Sequence, residues 1–322
     1  MLFIENIEKE FCSPLFKKRV VALSNINLVI SEGEITGLLG HNGAGKTTLL
    51  RIICNLIFPS KGQVRYETKQ ICPVCSSEIV RFISIVLSDN KNLYWHLSAD
   101  ENIDYLASLK GLNKNHLKDK RNELYELVGL KGKEKKLVQE FSSGMKQKLA
   151  LVLALISEPE ILILDEPLFS LDYKTSKNIT DYLRNYANKF NRIVIIASHQ
   201  LDFIEGICDR IAVLKQGKLI YFDAIDSMYN KTLDLPSDYF ELKIDKKTVM
   251  ACVLDEMKNK QDIFNVDLTD DKSIIIKLSS SPLALMGALK TLEKEHGVVT
   301  DISQRKTCLN DFYRVLHDDI NI

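Results

Sequence analysis

The chain has 322 residues, of which 45% are hydrophobic and 27% charged, and 43 basic side chains balance 43 acidic ones. This balance argues against a nucleic-acid-binding protein driven by bulk positive charge, and the length suits two domains with packed cores. The longest apolar run is about eight residues, far short of the roughly 20 that a membrane-spanning helix needs. Because the acidic N-terminus also lacks a signal-peptide pattern, we expect a cytosolic protein, with any membrane-spanning part on a separate chain.

Short apolar strands and one glycine-rich loop are predicted at the start of the chain. Residues 20–30 and 34–40 predict two strands separated by a turn, and the second ends in glycine. A glycine-rich loop and an apolar-periodic helix follow at 40–57, and another short strand at 61–67. Cys72 and Cys75 have metal-ligand spacing, but no second pair appears, so a loop with two thiols is the favoured interpretation.

A long helical segment and a parallel strand pair come next. Residues 98–158 predict mostly helix. Three elements follow: an apolar strand at 160–166, an amphipathic helix at 173–190 and an apolar strand at 192–198. Two apolar strands joined by one helix are typical of a parallel β-α-β unit. Residues 209–223 then predict a hairpin that turns at Gln216-Gly217.

The sequence changes character after about residue 225, where a polar stretch resembles a linker. The remaining segments predict the order β-α-β-β-α-β, with the first helix near 248–259 and the two central strands on either side of Asp270-Asp271. This order is that of a ferredoxin-like α+β domain. We therefore predict two domains, residues 1–225 and 226–322, with a last helix near the C-terminus.

Residues 40–48 match the phosphate-loop pattern G-x-x-x-x-G-K-[ST], with a predicted strand before it and a predicted helix after it. Glycines let the backbone wrap around a phosphate, its N–H groups donate to the oxygens, and the helix N-terminus adds partial positive charge. Lys46 should reach the β- and γ-phosphates, and the Thr47 hydroxyl should bind Mg²⁺. The predicted nucleotide-binding residues are Gly40, Asn42, Gly43, Ala44, Gly45, Lys46, Thr47 and Thr48.

Three polar side chains end the two later apolar strands. Asp165 would face the Mg²⁺ ion, and Glu166 would act as the general base that orients the attacking water. The alternative is a surface Asp-Glu pair, which the upstream phosphate loop disfavours. His199 ends the neighbouring strand and can contact the γ-phosphate region, although a lone histidine is more often structural.

In their order and spacing, these motifs resemble the nucleotide-binding subunits of ATP-binding cassette (ABC) transporters. The resemblance covers about residues 2–225 and rests on GHNGAGKTT, FSSGMKQKLAL, ILILDEP, Leu171-Asp172 and Ser198-His199. It implies an α/β P-loop ATPase cassette with a mixed sheet core, an antiparallel β subdomain and a helical subdomain at about 92–158. The C-terminal part more loosely resembles the accessory domain of exporter-type cassettes.

The same resemblance gives a role to the turn formed by Ser142, Ser143 and Gly144. In the family, the equivalent turn closes over the γ-phosphate of ATP held by a second cassette. A serine hydroxyl, an unhindered glycine N–H and a helix dipole suit an anion. Capping of the helix by Ser142 or Ser143 is compatible with that role. Two chains would then complete two sites, arranged head to tail about a twofold axis.

Other family positions match less closely. Phe11 is the candidate for stacking on adenine just after the first strand, and Phe16 is the alternative. Asp89 falls where the family has a glutamine that links Mg²⁺ to the permease contact, so it is a candidate metal ligand. The loop before Asp172 reads Leu-Phe-Ser where the family prefers Thr-Ser-Gly.

We therefore predict an ATP-hydrolysing subunit that binds ATP and Mg²⁺ and powers export through a separate, multi-spanning permease. Its partners would be a second cassette, as a homodimer, and the permease, which would hold it at the inner face of the cell membrane; no nucleic acid is expected. One alternative is a soluble cassette protein acting on ribosomes or DNA. Another is a regulatory or immunity-type subunit with weakened coupling.

Overall fold

Two compact units make up the chain, residues Met1–Ile225 and Asp226–Ile322. The structure is a computed structural model. It describes residues 1–12, 19–67, 69–72, 82–87, 93–113, 117–231, 238–245, 263–270, 273–279, 282–294 and 299–318. Within these ranges, no helix is long and apolar enough to cross a membrane.

A six-stranded sheet forms the centre of the first unit. Its strands are β3 (Ile35–Leu39), β6 (Ile83–Val86), β7 (Ile161–Asp165), β8 (Ile193–Ala197), β9 (Arg210–Lys215) and β10 (Lys218–Ala224). The order is β10-β9-β3-β8-β7-β6, and all neighbours are parallel except the β9–β10 hairpin. Every residue of β3, β7 and β8 is buried, which explains their unbroken apolar sequences. The hairpin turns at Gln216 and Gly217, both with positive φ, as predicted.

A smaller antiparallel sheet packs beside the first. Its strands are β1 (Leu2–Cys12), β2 (Arg19–Ile30), β4 (Lys61–Tyr66) and β5 (Lys69–Cys72), in the order β2-β1-β4-β5. One hydrophobic core joins side chains from both sheets, such as Leu2 and Ile26 from the smaller sheet and Ile163 and Ile195 from the larger. Leu38 and Leu49, on either side of the phosphate loop, both belong to this core, which holds the two ends of the loop in place.

Six helices accompany these sheets in the described ranges, and a seventh starts at Ile225, the last residue of this unit, and continues into the second. They are α1 (Lys46–Ile53), α2 (Ala99–Lys110), α3 (Leu117–Val128), α4 (Ser143–Leu155), α5 (Tyr173–Phe190), α6 (Leu201–Ile207) and α7 (Ile225–Lys231). Ser98 and Glu101 form a reciprocal cap at the start of α2. The predicted helical segment is interrupted at 129–142, apart from one short 3₁₀ turn. Gly129, directly after α3, has a left-handed backbone that ends the helix, and Gly132 in the same segment also has positive φ.

The second unit contains one antiparallel sheet. Its strands are β11 (Asp238–Asp245), β12 (Ile263–Asp270), β13 (Ser273–Ser279) and β14 (Val299–Lys306), in the order β12-β13-β11-β14. Two helices follow the strands in sequence, α8 (Pro282–Lys294) after β13 and α9 (Leu309–Asp318) after β14. Alternate residues of β11 and β13 pack with Ala284, Ala288 and Leu292 of α8 in a small separate core. The helix predicted at 248–259 lies outside the described residues.

Candidate active site

The phosphate loop connects β3 to α1, and its glycines are required by close contacts. A side chain at Gly40 would lie 2.5 Å from the Leu214 carbonyl oxygen, and one at Gly45 would lie 2.7 Å from that of Ala22. Both glycines also have positive φ, which disfavours other residues. The loop is thus wrapped tightly against β2 and β9, with the N-terminus of α1 opening at Lys46.

Lys46 lies inside the loop, where its ammonium donates to the carbonyl oxygens of Gly40 and, at 3.2 Å, of His41. Burial lowers the pKa of Lys46, while the carboxylates of Glu166 and Asp165 oppose that shift. Its positive charge therefore faces two negative charges across a small cavity. An incoming phosphate would take the place of the loop carbonyls as its partner.

The side chains of Thr47 and Asp165 contact each other in the same site. Asp165 ends β7 and is only 4% exposed, and the Thr47 hydroxyl donates to its Oδ2 at 3.3 Å. A hydroxyl and a carboxylate are hard oxygen ligands that suit Mg²⁺. No group of three or more potential metal-binding His, Cys, Asp or Glu side chains exists among the described residues. Phosphate oxygens and water would therefore complete the coordination shell of a Mg²⁺ ion held by this pair.

Glu166 is held by two residues that follow β8. Its carboxylate accepts hydrogen bonds from the Ser198 hydroxyl at 2.9 Å and from the His199 backbone N–H at 3.0 Å. The His199 ring nitrogen Nδ1 lies 2.8 Å from the same carboxylate. Because β7 and β8 are parallel neighbours, their carboxyl ends bring Glu166, Ser198 and His199 together. Ser198 was not predicted as a site residue, although the Ser198-His199 pair was among the motifs that carried the family resemblance.

A cavity of about 280 Å³, here called the phosphate cavity, is lined by Asp165, Glu166 and six of the eight predicted phosphate-loop residues. Its lining residues are Ala22, His41, Asn42, Gly43, Gly45, Lys46, Thr47, Thr48, Asp165 and Glu166. Backbone N–H groups and one ammonium suit the phosphates of a nucleoside triphosphate, and the two carboxylates suit the divalent cation that accompanies it.

Comparisons with known proteins decide the family. A family described as "ABC transporter" matches residues 23–169. The bacitracin transport ATP-binding protein BcrA of Bacillus licheniformis is 33% identical over 296 residues, covering 91% of this chain and 91% of the relative. This chain belongs to the ABC transporter ATP-binding family.

Further similarities agree with that assignment. The methionine import ATP-binding protein MetN of Haemophilus ducreyi is 32% identical over 245 residues, covering 75% of this chain and 70% of the relative. Among solved structures, the dimeric post-hydrolysis ATP-binding cassette MJ0796 with ADP and Pi matches with a TM-score of 0.64 and 26% identity. That match covers 70% of this chain and 99% of the cassette. The predicted ABC family, ATPase activity and α/β P-loop cassette fold are confirmed.

Seven described residues that were predicted for the site are absent from the lining of the phosphate cavity: Phe11, Gly40, Ala44, Ser142, Ser143, Gly144 and His199. Gly40 and Ala44 belong to the phosphate loop itself, and His199 contacts Glu166. Ser142 caps α4 by accepting a 3.3 Å hydrogen bond from the Met145 N–H, and Ser143 and Gly144 form the first residues of that helix. Ser142 and Ser143 are exposed. Phe11 lies within β1 rather than after it, and its ring is 44% exposed beneath the ammonium of Lys9. Asp89, Phe16 and Cys75 lie outside the described residues.

Proposed function

We propose that this cassette hydrolyses Mg-ATP at the phosphate cavity and powers a separate membrane permease. The observation that supports this most directly is the fixed position of Glu166 beside Lys46, Thr47 and Asp165. A carboxylate held by three hydrogen-bonding contacts from Ser198 and His199 is oriented to accept a proton from water. A cassette that only binds nucleotide has no need of such an arrangement.

Each residue of the cavity has a distinct part in this proposal. Lys46 and the N–H groups of residues 40–48 hold the phosphates and offset the charge that develops during transfer. Thr47 and Asp165 would hold Mg²⁺, which when bound neutralises charge on the β- and γ-phosphate oxygens. Glu166 orients the attacking water, and His199 keeps the Glu166 carboxylate in place. Phe11 offers an exposed ring for the adenine base.

A second copy of the chain would supply the remaining wall of each site. The turn of Ser142, Ser143 and Gly144 is absent from the lining of the chain's own phosphate cavity, yet it presents hydroxyls and a helix N-terminus. In a head-to-tail homodimer, this turn would close on the γ-phosphate held by the partner. The MJ0796 cassette, itself described as dimeric, supports this arrangement by similarity.

We also propose that the cassette works with a permease at the inner membrane face and that the direction of transport is export. The sheet order β12-β13-β11-β14 supports a ferredoxin-like accessory domain at 226–322. The similarity to BcrA, a bacitracin transport protein, spans 296 residues and therefore reaches into that domain. MetN, an import protein, covers less of this chain.

Glu166→Gln tests the proposed chemistry and the dimer together. The amide keeps the size of the side chain but cannot accept the proton, so ATP turnover should fall by about 100-fold or more. ATP-Mg should then trap a dimer of twice the 36.7 kDa chain mass, seen by light scattering after gel filtration. Glu67→Gln, at an exposed position outside the cavity, is the matched control.

Turnover within twofold of wild type, or a Glu166→Gln chain that stays monomeric with ATP-Mg, would contradict the proposal. Co-purification from membranes with a multi-spanning protein would separate it from a soluble cassette acting on ribosomes or DNA. Wild-type protein that binds ATP but does not turn it over would favour a regulatory subunit.

A further inference from the structure

The first two turns of α4 lie directly against the loop that carries Glu166. A side chain at Gly144 would lie 2.6 Å from the Ser170 carbonyl oxygen, so the two backbones touch. The Lys148 ammonium lies 3.0 Å from Oδ2 of Asp172. The helix that begins with the exposed Ser142 turn and residues 166–172 of the same chain are therefore in contact along their length.

Gln147 makes the central link of this contact. Its side chain is buried, and the residue is only 3% exposed. The amide nitrogen donates to the backbone carbonyl of Pro167 at 3.1 Å and lies 3.4 Å from that of Glu166. Because both partners are carbonyl oxygens, only a hydrogen-bond donor satisfies them at this position.

The backbone that Gln147 holds is strained. Glu166 has φ of 53°, and Ser170 in the same loop has φ of 64°. A non-glycine residue in this region costs about 1–3 kcal/mol and persists only where surrounding contacts impose it. Ser198 and His199 hold the carboxylate of Glu166, whereas Gln147 holds the peptide that follows it.

We propose that Gln147 is a positioning residue that links the catalytic carboxylate of Glu166 to the helix whose N-terminus receives the partner's nucleotide. This inference rests on the proposed function, since it needs hydrolysis at Glu166 and a second cassette at the Ser142 turn. When the partner's triphosphate binds to that turn, α4 and the Glu166 peptide behave as one unit because Gln147 joins them.

Gln147→Met tests the role of the amide, because methionine has similar length and no donor. We expect kcat for ATP to fall roughly 10- to 100-fold through misplacement of Glu166. The KM for ATP and the affinity for a fluorescent ATP analogue should stay within twofold, because Lys46 and the phosphate loop are untouched.

Gln139→Met makes the same substitution at an exposed position before α4 and should leave kcat unchanged. In the Glu166→Gln background, adding Gln147→Met should cause no further loss of turnover and should still allow the ATP-trapped dimer. A purely structural Gln147 would instead lower nucleotide affinity and abolish that dimer, which would overturn the inference. So would a Gln147→Met kcat within twofold of wild type. If Glu166→Gln itself leaves turnover intact, the proposed function fails rather than this inference alone.

Discussion

Asp311 lies at the centre of a buried polar cluster in the second unit, and Asp311→Asn tests what this cluster contributes to stability. Its carboxylate accepts hydrogen bonds from the Lys277 ammonium, from the Tyr239 hydroxyl at 3.2 Å and from the Cys308 backbone N–H at 3.2 Å. The side chains of Lys277 and Asp311 are each only 8% exposed. The cluster joins β11 and β13 to the first turn of α9.

The substitution keeps the shape of the side chain but leaves the Lys277 charge buried without its counter-charge. Breaking a buried ion pair on one side typically destabilises a protein by about 3–5 kcal/mol. Solvent screening does not reduce this value much, because both side chains are almost fully enclosed. For a domain of roughly 100 residues, about 3 kcal/mol corresponds to a decrease in Tm of roughly 12–24 °C.

Two optical probes can distinguish unfolding of the second unit from unfolding of the first. The chain has one tryptophan, Trp95, which lies in the first unit, so its fluorescence follows that unit alone. Far-UV circular dichroism follows both units. We expect Asp311→Asn to introduce an earlier thermal transition by circular dichroism, while the Trp95 transition and ATP turnover at 25 °C change little.

The cluster also predicts a pH dependence. Burial alone would raise the pKa of Asp311, but hydrogen bonds from Lys277 and the Cys308 N–H hold that pKa below its usual value. A depressed folded-state pKa contributes stability above the unfolded pKa of about 4 and loses it as the pH falls through the folded value. Wild type should therefore lose stability below about pH 4 more steeply than Asp311→Asn.

The matched control is Arg305→Gln, which removes an exposed partner of Glu241 and should change stability by less than about 1 kcal/mol. The double variant Lys277→Met with Asp311→Leu should recover much of the lost stability, because no charge stays buried. A decrease in Tm of less than about 4 °C for Asp311→Asn, equivalent to under about 1 kcal/mol, would refute the reasoning.

Two further predictions concern the first unit. Ser198→Ala removes a hydrogen bond to the charged Glu166 carboxylate, and such a bond is worth about 1.5–3 kcal/mol. The substitution should lower kcat roughly tenfold without changing the KM for ATP. An unchanged kcat would contradict the role given to Ser198. Burial lowers the pKa of Lys110 to about 8, so its stability contribution improves as the pH rises from about 8 to 10.5. Lys110→Met removes the buried amine and should therefore raise Tm at pH 7 and flatten that pH dependence in thermal melts. The hydroxyls of Ser84 and Ser157, which accept from Lys110, are 3.3 Å apart and keep each other as hydrogen-bond partners.

The sequence by itself determined the phosphate loop and the order of the elements around it. Gly40, Gly45 and Lys46 could be predicted because the nine-residue pattern at 40–48 is recognisable in the sequence, although the contacts of Gly40 with Leu214 and of Gly45 with Ala22 are not. Asp165 and Glu166 could be predicted because a polar pair after an unbroken apolar strand must reach the edge of a buried sheet. The resemblance to ABC cassettes rested on such local motifs, and the family comparisons confirmed it.

Only the tertiary structure decided what Ser198 and Gln147 contact. Ser198 reaches Glu166 because β7 and β8 are parallel neighbours, although 32 positions separate the two residues in sequence. In the sequence, Gln147 is one residue of a largely apolar helix. Its hydrogen bonds to the Glu166 and Pro167 carbonyls exist only because α4 packs against the loop after β7. Strand pairing and helix packing bring together residues that are distant in the chain, and no local pattern of side chains encodes those distances.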